Sequence, residues 1–167
     1  MGLNDFKKII ITELSNTLKP LGFKRAGHIF SSTTDDLVYY IALQSSTSST
    51  ASQLKFTINI DIRSKELYQL YESILPFNAQ DHYRFRIGWF IEPQIDKWWL
   101  AHDNQSAMLA AEEINTLIVQ KVLPEFSHLK SVKDIYALWK QGKGTGITEG
   151  AKKNYMQLLE QANILNK

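Results

Sequence analysis

From Lys55 to Ile62 the chain alternates without a break: Phe56, Ile58, Ile60 and Ile62 are large and apolar, whereas Lys55, Thr57, Asn59 and Asp61 are polar. Side chains of a strand project to opposite faces with a period of two, so this stretch buries one face and presents the other to polar surroundings. Strands of that kind belong to antiparallel sheets, because parallel strands are covered on both faces and read as continuous apolar runs.

Other segments fit around this strand. Phe6, Ile9, Ile10, Leu14 and Leu18 form one helical stripe, with Asn4 or Asp5 placed to cap its start and Pro20 and Gly22 placed to stop it. Ile29-Phe30, the turn Thr34-Asp35-Asp36 and the run Leu37 to Leu43 predict a hairpin. Residues 45–53 hold seven hydroxyl side chains and no large apolar one, the composition of an exposed, mobile loop. Ser64 opens a short helix with Leu67, Leu70, Tyr71 and Ile74 on one face and Pro76 at its end. A fourth strand is predicted over His82–Ile91, with Tyr83, Phe85, Ile87, Trp89 and Ile91 on its apolar side, and a short edge strand within Glu92–Asp103.

After residue 104 the apolar period changes from 2 to about 3.6. Ser106 is placed to cap a helix that Pro124 closes; Ser131 with Asp134 opens a second, ending at Gly142; Thr148 opens a third. Strands first and helices later, with no βαβ rhythm, predict an α+β fold: an antiparallel sheet of four or five strands, helices packed on one face, and a helical C-terminal part. The other sheet face can meet water. At 167 residues one domain is expected, spanning 1–167, strand-rich over 1–103 and helical over 104–167.

Several chemistries lack their residues. The chain has no cysteine, which removes disulfides, thiolate nucleophiles and sulfur-ligated metals. His28, His82, His102 and His128 are scattered without the spacing that puts two imidazoles on one helix face, so no metal site and no cofactor is expected. Gly142-Lys143-Gly144-Thr145-Gly146 follows a helix and lacks the phosphate-loop spacing, and is read as a flexible helix–helix linker. No Gly-x-Ser-x-Gly elbow exists. With 19 Lys+Arg against 17 Asp+Glu, the chain lacks the basic excess of a nucleic-acid clamp, although residues 121–153 carry seven lysines against three acidic groups. Neither a secretory apolar run nor a membrane span is present in the sequence, so a cytoplasmic location without membrane association is expected.

The densest polar set lies on the open side of the two central strands. If these neighbour each other, Thr57, Asn59, Asp61, His82, Arg84 and Arg86 share a face. Such a face suits a carboxylate or phosphate, since guanidinium groups offer paired donors to planar anions. It equally suits the cross-strand ion pairs of any half-wet sheet. Asp96 and the pair Trp98-Trp99 extend the set: adjacent tryptophans on extended backbone face opposite ways, one toward the core and one toward the open sheet or a partner.

Leu18-Lys19-Pro20-Leu21-Gly22-Phe23-Lys24 after an N-terminal helix, then Phe56-Thr57-Ile58-Asn59-Ile60, then His82-Tyr83-Arg84-Phe85-Arg86-Ile87-Gly88, then Asp96-Lys97-Trp98-Trp99, resemble in order and spacing the bacterial domain-of-unknown-function family 4304 over about residues 5–123. The resemblance implies a bacterial cytoplasmic protein and no particular activity. Within it the family pattern resembles this chain at His82, Arg84, Arg86, Asp96 and Trp98. The expected function is a non-catalytic binding or protein-interaction module, immunity-like or regulatory, working through Asn59, Asp61, His82, Arg84, Arg86, Asp96, Trp98 and Trp99. Its partner would be a protein or a small anionic ligand. The alternative is an enzyme acting on a small anionic or phosphorylated substrate, with His82 or Asp61 as acid/base and the arginines as anchors.

Overall fold

The computed structural model describes residues 2–74, 82–144 and 146–166. In chain order its elements are α1 (Leu3–Leu18), β1 (Lys24–Ala26), β2 (Ile29–Thr33), β3 (Leu37–Ser45), β4 (Leu54–Ser64), α2 (Lys65–Ile74), β5 (Tyr83–Arg86), β6 (Trp99–Ala101), α3 (Asn104–Leu117), α4 (Leu123–His128), α5 (Val132–Lys140) and α6 (Glu149–Gln161). The fold is α+β, an antiparallel sheet followed by a helical C-terminal part. Strand order is β1-β2-β3-β4-β5, with β6 also paired to β4. The chain forms two compact units: Met1–Ser32, Tyr40–Ile60 and Arg86–Glu125 make the first, and Thr33–Tyr39, Asp61–Phe85 and Phe126–Lys167 the second. Strands β3 and β4 each contribute residues to both.

In the first unit α1 packs on α3 through Phe6, Ile10, Leu14 and Leu18, all buried. Its cap differs from expectation: Gly2 is the cap residue, and Asp5 works from the third helical position by accepting from the Gly2 amide at 2.8 Å. Gly22 ends the following turn in a left-handed conformation, φ +86°. The three residues of β1 are all exposed and carry no burial pattern by which sequence could reveal a strand. The hydroxyl-rich connection is a hydrogen-bonded turn rather than a loose loop: Ser49 Oγ takes the Lys55 amide and donates to the Lys55 carbonyl, both at 3.1 Å. Thr50 bridges Gln53.

The strand predicted over 82–91 stops at Arg86, and Ile87–Phe90 form a 3₁₀ turn instead. Gly88 explains the break, since a Cβ there would strike the Ile95 carbonyl oxygen and lie 2.8 Å from the Lys97 amide. Only glycine lets the returning segment come so close. That segment then supplies β6, whose Trp99 and Ala101 face Phe56 and Leu54 of β4. At α3 the cap is Asp103 rather than Ser106, which sits at the third position; the Ser106 amide donates to Asp103 at 2.7 Å. Pro124 does not close this helix. A π turn over Ile118–Val122 leads into α4, and the wider turn relieves the clash between a proline ring and the carbonyl one turn back.

In the second unit Ser64 caps α2, accepting from the Leu67 amide at 3.2 Å. Ser131 and Asp134 open α5 as expected, with the Ser131 amide on Asp134 at 2.8 Å, and Thr148 caps α6. Asp36 accepts from Ser64 Oγ at 3.0 Å and from the Val132 amide, tying the β2–β3 turn to α2 and α5. The Tyr39 hydroxyl donates to the Leu129 carbonyl at 2.6 Å. Pro76 and Thr145, which carried two of the sequence expectations, lie outside the described residues.

The glycines after α5 are more constrained than a flexible linker requires. Gly142, Gly144 and Gly146 have φ of +70°, +92° and +76°. A Cβ on Gly144 would lie 2.8 Å from Trp139 Cδ1, and one on Gly146 2.6 Å from Arg84 Cβ and against the Arg84 backbone. Gly22 has open space around it. Gly22→Ala is therefore expected to cost about 1 kcal/mol from backbone strain alone. Gly146→Ala adds a backbone clash and is expected to cost about 2–4 kcal/mol in urea denaturation.

Candidate functional site

The polar side of β4 is less wet than its residue types imply. Thr57, Asp61 and Ser64 are buried, leaving Lys55, Asn59 and Arg63 partly exposed. Thr57 donates its hydroxyl to the Lys97 carbonyl at 2.9 Å, so the segment before β6 lies over this face. The expectation of an open face is corrected accordingly.

In the first unit Arg86, Asp96 and Trp98 come together. Arg86 Nη1 donates to Asp96 Oδ2 at 2.6 Å, and Trp98 Nε1 donates to the same oxygen at 3.2 Å. The guanidinium lies 5.0 Å from the Trp98 ring centroid and Lys55 Nζ lies 5.7 Å from it, both within cation–π range. Lys55 pairs with Leu100 in the β4–β6 register. Trp98, two residues before Leu100 on extended backbone, falls on the same side as that pair. The Arg86 hydrogen bond, more than that of Trp98, holds the Asp96 carboxyl below its ordinary range despite slight burial. Asn59 is engaged elsewhere, donating to Gln44 at 2.8 Å.

Trp99 goes inward, 5% exposed, with Nε1 donating to Glu113 at 2.9 Å and Lys97 5.0 Å from its ring centroid. Burial pushes the Glu113 carboxyl up, but hydrogen bonds from Lys97 and Trp99 outweigh it and hold the group below its usual range. Sequence reasoning left out Lys55, Lys97 and Glu113. Lys55 was visible in the alternation, whereas Glu113 reaches this segment only through packing of α3 against β6.

In the second unit Asp61 and Arg84 form an ion pair, the carboxylate nearly buried and the guanidinium half exposed. His82 is fully buried rather than lining a wet face. Its Nδ1 accepts the Ser64 amide at 2.9 Å, and Tyr155 of α6 packs edge-on with ring centroids 5.0 Å apart. Burial, assisted by the Arg63 charge, pushes the imidazole down to about 3. The ring is therefore neutral, with its proton on Nε2, an atom that has no hydrogen-bond partner among the described residues. A buried neutral imidazole with one nitrogen committed to a backbone amide is a structural group, poorly placed to exchange protons with a substrate. Among the described residues no three His, Asp or Glu side chains cluster so as to hold a metal ion, and no helix is long and apolar enough to cross a membrane.

A family model described as Domain of unknown function (DUF4304) matches residues 14–128. The chain belongs to the DUF4304 family. No curated protein and no solved structure matches it. The DUF4304 match takes in all eight candidate residues and ends at His128, later than the 123 expected from the motifs and before α5 and α6 begin.

Because the native imidazole binds a proton only near pH 3 while the unfolded one does so near 6.5, the unfolded state holds more protons between these values. Stability is full above about pH 6.5 and falls as pH drops, by up to about 1.4 kcal/mol per pH unit from this group. In His82→Asn the amide oxygen can take the place of Nδ1, and this component of the slope disappears. Urea melts of both proteins between about pH 5 and 7, above most carboxylate titration, read the difference.

Proposed function

We propose that this DUF4304 protein is a non-catalytic protein-interaction module of the bacterial cytoplasm, immunity-like or regulatory, whose contact surface is centred on Trp98. The observation that carries the reading is the fixed geometry of that ring: one hydrogen bond to Asp96 sets its tilt, and Arg86 and Lys55 flank it. Tryptophan and arginine dominate binding hot spots because they combine large apolar area with directed polar contacts. Holding them in place before association spares the entropy of ordering them in the complex. Leu100, 48% exposed and on the same strand side, adds apolar area, and the same segment exposes Trp89 and Ile95.

The near-balance of 19 basic against 17 acidic groups in the chain supports a protein partner over a nucleic acid. The only acidic group in the Trp98 cluster is already on Arg86, and an exposed pair of this kind contributes little by itself. A partner carboxylate can compete for the guanidinium while apolar side chains cover Trp98 and Leu100. Two of the residues considered for acid–base chemistry are committed elsewhere: the Arg86 hydrogen bond holds Asp96 ionised, and His82 is sealed in the second unit.

Trp98→Ala and Arg86→Ala should each reduce recovery of the partner from native lysate by about tenfold or more, with unchanged thermal melting. A photo-crosslinking residue in place of Leu100 should trap the same partner. Equal recovery by the parent and both variants would remove this surface from consideration.

A further inference from the structure

Within the first unit β6 is an outer strand: among the described strands it pairs with β4 alone. The direction of its backbone groups follows from Lys55, which stands opposite Leu100. The Lys55 carbonyl accepts from the Ser46 amide at 2.8 Å, and the Lys55 amide donates to Ser49 Oγ at 3.1 Å, so both backbone groups of Lys55 point to the β3 side and away from β6. In an antiparallel ladder two opposed residues either exchange both hydrogen bonds or turn their groups outward together. Leu100 therefore directs its N–H and C=O away from β4, to the open edge of the sheet. Among the described residues nothing pairs with either group.

Three features suit this edge to a further strand. First, the next outward-facing amide, that of His102, is already taken by Ser106 Oγ at 3.0 Å, whereas Leu100 is exposed. Second, edge strands are ordinarily guarded by charge. The opposite edge of the sheet, β1, carries exposed Lys24 and Arg25, while Trp99-Leu100-Ala101 has no charged residue. Third, the face that Leu100 shares with Trp98 is positive, since Lys55 and Arg86 flank the ring against the one carboxylate of Asp96.

Resting on the reading of Trp98 as a protein-contact surface, we propose that the partner binds as an extended segment added to β6 as an antiparallel strand, with an apolar side chain opposite Leu100 and an acidic one two residues later, opposite Trp98. The partner residue facing Leu100 exchanges both backbone hydrogen bonds with it. Its apolar side chain lies beside Leu100, and the acidic one, on the same face by the period of two, reaches the Arg86 guanidinium. Backbone pairing supplies affinity and these two side chains supply selectivity, so the recognised pattern is apolar-x-acidic. A second copy pairing through its own β6 would bring Lys55 and Arg86 of both chains onto one face, and like charges oppose it.

Amide NMR of the isotope-labelled protein, titrated with the capped peptide Thr-Val-Thr-Leu-Thr-Glu-Thr, tests this. Saturable shifts are expected at the Leu100 amide and the Trp98 indole. Methylating the peptide's leucine nitrogen removes the hydrogen bond to the Leu100 carbonyl and should weaken binding about tenfold or more, as should lysine in place of the peptide's glutamate. Trp98→Ala should weaken it similarly while melting as the parent does. The proposal fails if the peptide leaves both signals unmoved, or if the N-methyl or lysine peptide binds as well as the first. It also fails if the Leu100 amide shifts with protein concentration and sedimentation shows a dimer, since a second copy then occupies the edge. An N-methyl peptide that binds fully yet loses affinity in Trp98→Ala strikes strand addition and leaves the Trp98 contact surface standing. Partner recovery from lysate that ignores Trp98→Ala strikes that surface instead, whatever the peptide does.

Discussion

Strand β4 pairs with β3, β5 and β6 while keeping Phe56, Ile58, Ile60 and Ile62 wholly out of water. Each of those side chains contributes about 1.5–3 kcal/mol by burial. A one-residue slip would put Asn59 and Asp61 in their place. Register is therefore fixed over the whole strand, and with it the positions of everything hung on its other side: Lys55 opposite Leu100, Thr57 beneath the Lys97 carbonyl, Asp61 against Arg84 and Ser64 at the head of α2.

That fixed register lets two adjacent tryptophans take opposite roles. Trp99 follows the apolar side of the sheet and spends its N–H on Glu113, whereas Trp98 follows the polar side and spends its N–H on Asp96. Both rings have a cation within about 5 Å. The surroundings differ in exposure rather than in kind, and only the outer ring has a face to offer.

The regular elements were readable because each repeats a local rule. Alternation marked β4, apolar stripes marked α1 and α3, and the Ser131–Asp134 and Thr148 caps marked α5 and α6. Several failures share another cause, an interaction with a residue outside the local pattern. Gly88 ends β5 because the Ile95–Lys97 backbone returns over it, which no property of residues 82–91 announces. His82 looked like a surface base until Tyr155 of α6 closed over it. Asp36 looked like a turn residue, yet it serves Ser64 and Val132. Within the candidate site, the Trp98–Trp99 alternation was legible, but the choice of which ring enters is set by the β4–β6 register, which seats Trp99 opposite Phe56. Of the eight candidate residues, one tryptophan of the pair was expected inside and is, whereas Asp61 and His82 were expected on a wet face and are buried.

The DUF4304 match ends at His128, so it includes Phe126, which packs on Tyr39, but not Leu129, whose carbonyl receives the Tyr39 hydroxyl. Asp36, Tyr39 and His82 thus lie inside the matched region while their partners Val132, Leu129 and Tyr155 lie outside it. During synthesis the early strands leave the ribosome well before those partners exist. The second unit can close only when α6 has been made, long after the first has all its segments. Until then the surfaces around Tyr39 and His82 stay uncovered, and the growing chain depends on the order in which its pieces arrive.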